Sequence, residues 1–173
     1  TGTLTQNRMT VTKCYTDGKI CEPRRLNCRK DRYFLEGYAL CNDASIRGER
    51  IGDPTELALL DMAAGFEIQR ERLEESFPRT QEIAFDSERK MMTTLHRGEN
   101  ESISYTKGSP DEILERSAFL LEGGGRIPMT PEKRREIDQV IHAFTGEALR
   151  VLALGMRNPV SGLKENGLTF IGL

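Results

Sequence analysis

The spacing of apolar and polar positions divides the chain into short strands and several well-marked helices. In MTVTKCY (residues 9–15), Met9, Val11 and Lys13 alternate with Thr10, Thr12 and Cys14, which predicts a strand. Asp17-Gly18 then gives a turn signal, residues 22–30 a basic, proline-containing loop, and residues 33–40 a helix. Asp53-Pro54-Thr55-Glu56, Ser109-Pro110-Asp111-Glu112 and Thr130-Pro131 each place a capping side chain before a first-turn proline, predicting helix starts near residues 54, 110 and 131. The third helix carries a stripe of Ile137, Val140, Ile141, Phe144 and Ala148; the first carries Leu57, Leu60 and Ala64. Ile83 and Phe85 alternate with Glu82 and Ala84, and residues 91–96 and 102–106 flank a hairpin loop, Arg97-Gly98-Glu99-Asn100. Residues 150–156 and the closing LTFIGL predict two more strands, and Gly123-Gly124-Gly125 a flexible loop. Strands arranged in hairpins, rather than alternating strictly with helices, predict an α+β fold: a mainly antiparallel twisted β-sheet flanked by helices.

Composition narrows the function classes. A length of 173 residues with 37% apolar and 30% charged residues suits one globular domain with a real core. A net charge of -2 supplies no global field toward nucleic acid or anionic lipid, so no nucleic-acid partner is expected. Apolar runs such as VLALGM are far too short to cross a membrane. Cys14, Cys21, Cys28 and Cys41 form no C-x-x-C pair, and His96 and His142 lie far from them, so free thiols and structural or solvated histidines are expected, with no metal site.

Four stretches carry candidate chemistry, each with a plain alternative. In FDSERKMMTT, Phe85 ends an alternating strand just before a charge cluster; it is either a core aromatic or a stacking platform with Arg89 or Lys90 close by. In YTKGSPDEIL, Lys107 and Gly108 precede a helix start, which favours an anion or is simply a strand-to-helix turn; the spacing is not that of a Walker loop. In EALRVLALGMR, Arg150 either neutralises a helix end or aims its planar fork at a phosphate, with Leu152 sharing its strand face. In GDPTELAL, Glu56 either returns a hydrogen bond to its helix cap or accepts one from a ligand amino group, and its position favours the cap.

Taken in order with the opening TGTLTQN, these stretches resemble the nucleotide-binding domain of a P-type cation-transporting ATPase, closest to the type II, calcium-pump-like members. Thr1, Gly2, Thr3, Leu4 and Thr5 are similar to the tail of that family's D-K-T-G-T-L-T phosphorylation motif; the resemblance implies that the aspartate and lysine stand immediately ahead of Thr1. It also implies a division into a phosphorylation-motif tail (1–7), the nucleotide-binding domain (8–167) and a strand returning toward the phosphorylation domain (168–173). By the same resemblance, Phe85 stacks on adenine and Glu56 accepts from the adenine amino group. Lys107 and Gly108 line the pocket, Lys90 reaches toward ribose and phosphates, Arg150 meets the phosphate chain, and Leu152 forms apolar wall. Thr1 and Thr3 belong to the second, phosphoryl-accepting site, as hydroxyl partners for phosphate or metal. Ser87 stands where some calcium pumps carry an arginine, which leaves Arg89 as a candidate replacement for that phosphate contact.

The implied substrate is ATP, with Mg2+ accompanying it in the full pump, and the implied partners are the phosphorylation and actuator domains. The implied setting is the cytoplasmic side of an integral membrane protein. No catalytic residue is expected within the chain, which should bind ATP and hydrolyse nothing. Base–aromatic stacking is worth about 1–3 kcal/mol and an exposed cation–phosphate pair about 1 kcal/mol or less. The sum points to a dissociation constant on the order of millimolar. A rival reading is a protein-interaction module that docks through Arg24-Arg25, Arg29-Lys30 and Lys133-Arg134-Arg135 without nucleotide preference.

Overall fold

The hairpins join into one sheet. The computed structural model describes residues 7–173; the reading of Thr1 to Thr5 lies outside them. The strands are β1 (Cys14–Thr16), β2 (Lys19–Cys21), β3 (Arg79–Asp86), β4 (Met91–Arg97), β5 (Ser102–Gly108), β6 (Ser117–Glu122), β7 (Gly125–Pro128), β8 (Ala153–Arg157) and β9 (Leu168–Gly172). They run in the order β2-β1-β9-β8-β5-β4-β3, with β6 alongside β9 and β7 paired to β6. Every pairing is antiparallel except β6 with β9. This is the expected α+β architecture of a mainly antiparallel sheet with helices on it.

Alternate sheet residues feed two cores. On one face, Met92, Tyr105, Leu154 and Ile171 pack with Phe34, Leu35 and Tyr38 of α1 (Arg32–Leu40) and Leu59 and Met62 of α2 (Pro54–Ala64). The short α3 (Arg70–Ser76) lies against α1 through Leu73. On the other face, Met91, Ala153 and Phe170 pack with Ile113 of α4 (Pro110–Glu115) and with Ile137, Ile141 and Phe144 of α5 (Pro131–Gly146). Helices therefore cover both faces, and alternation along the buried strands β4, β8 and β9 divides their residues between two apolar layers, whereas β3 is mostly exposed.

The proline-led starts at 54, 110 and 131 are all realised. Asp53 and Thr130 cap through their side chains, accepting from the backbone N–H of Thr55 and Lys133; Ser109 makes no such bond. Several expectations are corrected. The first strand begins at Cys14, because its ladder with β9 reaches only Thr16↔Gly172 and the paired backbones of Tyr15 and Leu173; residues 9–13 have no partner strand among the described residues. The strand expected from Arg150 begins at Ala153, which pairs with Gly108, the last residue of β5. Helix α5 ends at Gly146, so Ala148 is exposed and outside the stripe, at φ 59°. Helix α2 buries a wide face of Ala58, Leu59, Leu60, Met62 and Ala63, leaving Ala64 exposed. Gly123 and Gly124, at φ 65° and 79°, make a tight turn joining β6 to β7 rather than a loose loop.

His96 is fully buried in β4. Its Nδ1 donates to the Phe77 carbonyl at 3.0 Å, so Nε2 accepts from the Thr94 hydroxyl at 2.8 Å. Burial is the largest influence on the imidazole; the backbone bond to Phe77 opposes it, Arg79 adds to it, and the pKa is pushed down to about 4. Between about pH 6.5 and pH 4 the unfolded chain binds a proton that the folded chain refuses. This contribution to stability is therefore complete above pH 6.5 and lost as the pH falls toward 4. Denaturant unfolding at about pH 7 and about pH 4.5 checks this: His96→Gln should lose less stability on acidification than the native chain, and an equal loss contradicts the assignment.

Candidate functional site

Four sequence-distant segments meet beyond the ends of β3, β5 and β8. Strand β5 stops at Gly108, and β8 starts opposite it at Ala153, so Arg150, Val151 and Leu152 overhang the end of the ladder. The first turn of α2 and the β3–β4 turn supply the other walls. The result is a cleft of about 520 Å³. Glu56, Phe85, Lys90, Lys107, Gly108, Arg150 and Leu152 all line it, together with Asp43, Asp53, Thr55, Met92, Ser109 and Val151.

Phe85, at the end of β3, is 61% exposed, one of the few large apolar side chains left open to solvent. A core aromatic would be buried; this ring presents its surface to the cleft instead. Directly after it, the Asp86 carboxylate accepts from the backbone N–H of Glu88 at 2.7 Å, and Lys90 N–H returns to the Asp86 carbonyl at 2.6 Å. This tight turn leaves Lys90 exposed at φ 59°, a conformation that costs a non-glycine residue energy.

Lys107 lies at the opposite extreme, 5% exposed on the cleft floor. It pairs in register with Met92 and Leu154, so its aliphatic stem runs among apolar side chains. Its ammonium donates to Glu56 Oε2 at 2.8 Å, and the same oxygen accepts from the Asp43 backbone N–H at 2.9 Å. The expectation that Glu56 returns a bond to its own helix cap is therefore corrected: its carboxylate reaches across to the sheet. The segment bearing Asp43 is fixed by Asn42, fully buried, whose amide donates to the carbonyls of Tyr38 and Glu56 and accepts from Ala44 N–H. Arg79 braces it further, donating to the carbonyls of Leu40 and Asn42 and to the Asp43 carboxylate. Sequence pattern singled out neither Asn42 nor Arg79, because both work through long-range contacts.

Glycine is required at 108 by the protein itself. A Cβ there would lie 2.2 Å from the Lys90 carbonyl oxygen and 2.7 Å from Met91 Cα, both backbone atoms of the adjoining strand and turn. Leu152 is set from behind, its carbonyl accepting from the buried Tyr38 hydroxyl at 3.0 Å. Arg150 is exposed and donates to the Thr55 hydroxyl at 3.3 Å. The cleft lining thus carries three acids, Asp43, Asp53 and Glu56, and three bases, Lys90, Lys107 and Arg150. Of the bases, Lys107 is matched on the floor, which leaves Lys90 and Arg150 as exposed cations of the lining.

Arg89, the candidate replacement for the contact missing at Ser87, is engaged outside the cleft lining. Its guanidinium is held by Glu165 at 2.7 Å and by the carbonyls of Ala84 and Met91, and neither it nor Ser87 lines the cleft. Glu165 also accepts from the Thr93 hydroxyl at 2.6 Å. Arg89 therefore ties the β3–β4 turn, which carries Phe85 and Lys90, to residues 158–167. The charge runs considered for protein docking are largely spent locally: Arg24 pairs with Glu22, Lys30 with Asp17, and Lys133 with Glu122, while Arg134 donates to the carbonyls of Leu114 and Ser117.

Residues 32–173 match the family model described as P-type ATPase, cytoplasmic domain N. The chain is 41% identical over 182 aligned residues to Calcium-transporting ATPase 1 of Bacillus cereus, covering 100% of this chain and 20% of that protein. Identity is 38% over 184 residues to Calcium-transporting ATPase 1 of Lactococcus lactis, covering 100% and 21%. It is 33% over 204 residues to the Calcium-transporting ATPase of Bacillus subtilis, covering 100% and 23%. The chain belongs to the P-type ATPase cytoplasmic N-domain family, and it spans about a fifth of the length of these relatives.

Two stability outcomes follow from the site's construction. Gly108→Ala should destabilise the domain by about 1–3 kcal/mol, since the obstructing atoms are backbone and cannot rotate away. Glu165→Gln, which removes charge-assisted bonds to Arg89, should cost about 1.5–3 kcal/mol. Denaturant titration measures both; midpoints unchanged from the native chain would contradict these packing and bonding assignments.

Proposed function

We propose that this domain holds ATP in the cleft by its base and presents the phosphates to an aspartate elsewhere in a cation-transporting P-type ATPase. Phe85 offers its open face to the adenine ring, and Lys107, Gly108 and Leu152 form the surroundings of the base. Among the described residues, both hydrogen bonds that the Glu56 carboxylate accepts are on Oε2, and Oε1 serves the adenine amino group. Lys90 and Arg150 approach the ribose and phosphate chain. The observation that carries this reading is an aromatic ring 61% exposed in a cleft whose deep lysine is already neutralised by a carboxylate.

That division of charge grips the base and leaves the phosphates loosely held, as a carrier requires. Stacking worth about 1–3 kcal/mol and two exposed cations worth about 1 kcal/mol or less each give binding on the order of millimolar. Tyr15 and Leu173 exchange both backbone hydrogen bonds, so residues 7–13 lead into the sheet on the side where β9 ends. In this proposal the segments 1–7 and 168–173 connect the domain to the phosphorylation domain, where Thr1 and Thr3 serve. The actuator domain is a further partner.

Among the described residues, no three His, Cys, Asp or Glu side chains cluster as a cation site. Magnesium enters the proposal with the nucleotide's phosphates, which it would charge-neutralise for transfer. No helix among the described residues is long and apolar enough to cross a membrane. The names of the relatives favour calcium as the transported cation.

Substitutions separate base grip from phosphate grip. Phe85→Ala should weaken adenosine, AMP and ATP alike by about 5- to 100-fold, the equivalent of one stacked base. Arg150→Ala should weaken ATP several-fold and leave adenosine nearly unchanged. Titrations followed by amide chemical shifts check both; equal losses for adenosine and ATP in the arginine variant would contradict its assignment.

A further inference from the structure

The β1–β2 hairpin carries a thiol pair, neither member of which lines the cleft. Cys14 and Cys21 stand directly opposite each other in the β1–β2 ladder, so both side chains leave the same face of the hairpin. Both are free; Cys14 is buried and Cys21 partly exposed. Opposed Cα atoms in an antiparallel ladder stand about 4.5–5.5 Å apart, inside the range of about 4.4–6.8 Å that a disulfide spans. The other thiols are placed differently. Cys41 is buried at the end of α1 and donates to the carbonyls of Met92 and Tyr105, and Cys28 is exposed in the loop before α1.

We propose that Cys14 and Cys21 form a redox-active dithiol that is oxidised to an intramolecular disulfide by small disulfides of the glutathione class. Cys21, the accessible member, acts first. Its thiolate attacks one sulfur of the small disulfide, forms a mixed disulfide and expels one small thiolate. Cys14 then gives up its proton, and its sulfur displaces the second small thiol from Cys21. The net reaction oxidises two protein thiols and reduces one small disulfide to two thiols, which carry the two released protons.

Burial, with Cys21 and Asp31 adding to it, pushes the Cys14 thiol up to about 12, and burial also raises Cys21. Both thiols are therefore protonated at neutral pH, and the exchange accelerates as pH rises. Opposed Cβ atoms in a ladder are about 4.5–5.5 Å apart, against about 3.5–4.5 Å in a disulfide. The bond draws the strands together and is correspondingly easy to reduce, which makes it a reversible mark rather than a structural staple. It falls one residue from Tyr15, whose backbone ties β1 to Leu173.

The test treats the folded chain with oxidised glutathione at about pH 8.5, near the ordinary thiol pKa, then alkylates, digests with trypsin and maps the peptides by mass. Cleavage after Lys13, Lys19 and Arg24 separates Cys14 (peptide 14–19) from Cys21 (peptide 20–24). The proposal expects these two peptides joined by a disulfide, released by dithiothreitol. Cys21→Ser should abolish the link while leaving Cys28 open to glutathione. Recovery of peptides 14–19 and 20–24 unlinked while Cys28 is modified, or a Cys21–Cys28 link in their place, would overturn the proposal.

Discussion

The site depends on one ion pair, Lys107 to Glu56 at 2.8 Å on the cleft floor. A lysine 5% exposed on a central strand would be costly without a partner, and Glu56 supplies it from a helix on the same face. The pair links the sheet to α2 and fixes where the cleft's back wall stands. It also decides the electrostatics: with the deep charges matched, the exposed cations of the lining are Lys90 and Arg150. The exposed lining carries both signs, Lys90 and Arg150 beside Asp43, which Arg79 holds, and Asp53, which accepts from the Thr55 backbone.

The pair is itself held by a polar network anchored on the buried Asn42. Glu56 is oriented by the Asp43 backbone, that segment by Asn42, and Asn42 and Asp43 by Arg79. The Asn42 amide and both Nη atoms of Arg79 are bonded to backbone or side-chain partners, with Arg79 Nε left unpartnered, and these bonds rigidify the wall. On the other side, the Asp86 turn and the Arg89–Glu165 tie hold the segment bearing Phe85 and Lys90. The cleft is thus built from the ends of strands, where the ladder has stopped and side chains are free of packing duty, and each wall is anchored to a packed layer behind it.

Much of this was legible in sequence because it rests on local chemistry. Proline-led caps marked α2, α4 and α5 correctly, and alternation with a polar turn marked β4 and β5. What failed depended on partners distant in sequence. Residues 9–13 alternate as a strand should, yet no strand among the described residues lies beside them; Arg150 and Val151 look like strand residues but extend beyond Gly108, where their neighbour ends. Helix α3 buries no residue and has no apolar stripe to reveal it, and β7 contains Pro128, which suits only an edge. The capping-box reading of Glu56 was locally sound and was overridden by a lysine fifty-one positions away. The seven residues that gather in the cleft were selected by resemblance, since composition alone left Phe85 open between core and platform.

The central claim is that an adenine base rests in the cleft beside Phe85 with Lys107 and Glu56 behind it. Backbone amide shifts of the isotopically labelled chain, followed while ATP is raised to tens of millimolar, test it most directly. The account predicts saturating shifts confined to the neighbourhoods of Glu56, Phe85, Lys107 and Arg150, with guanosine nucleotides weaker. Amides around that cleft that stay unmoved, or shifts that gather on another surface, would contradict it.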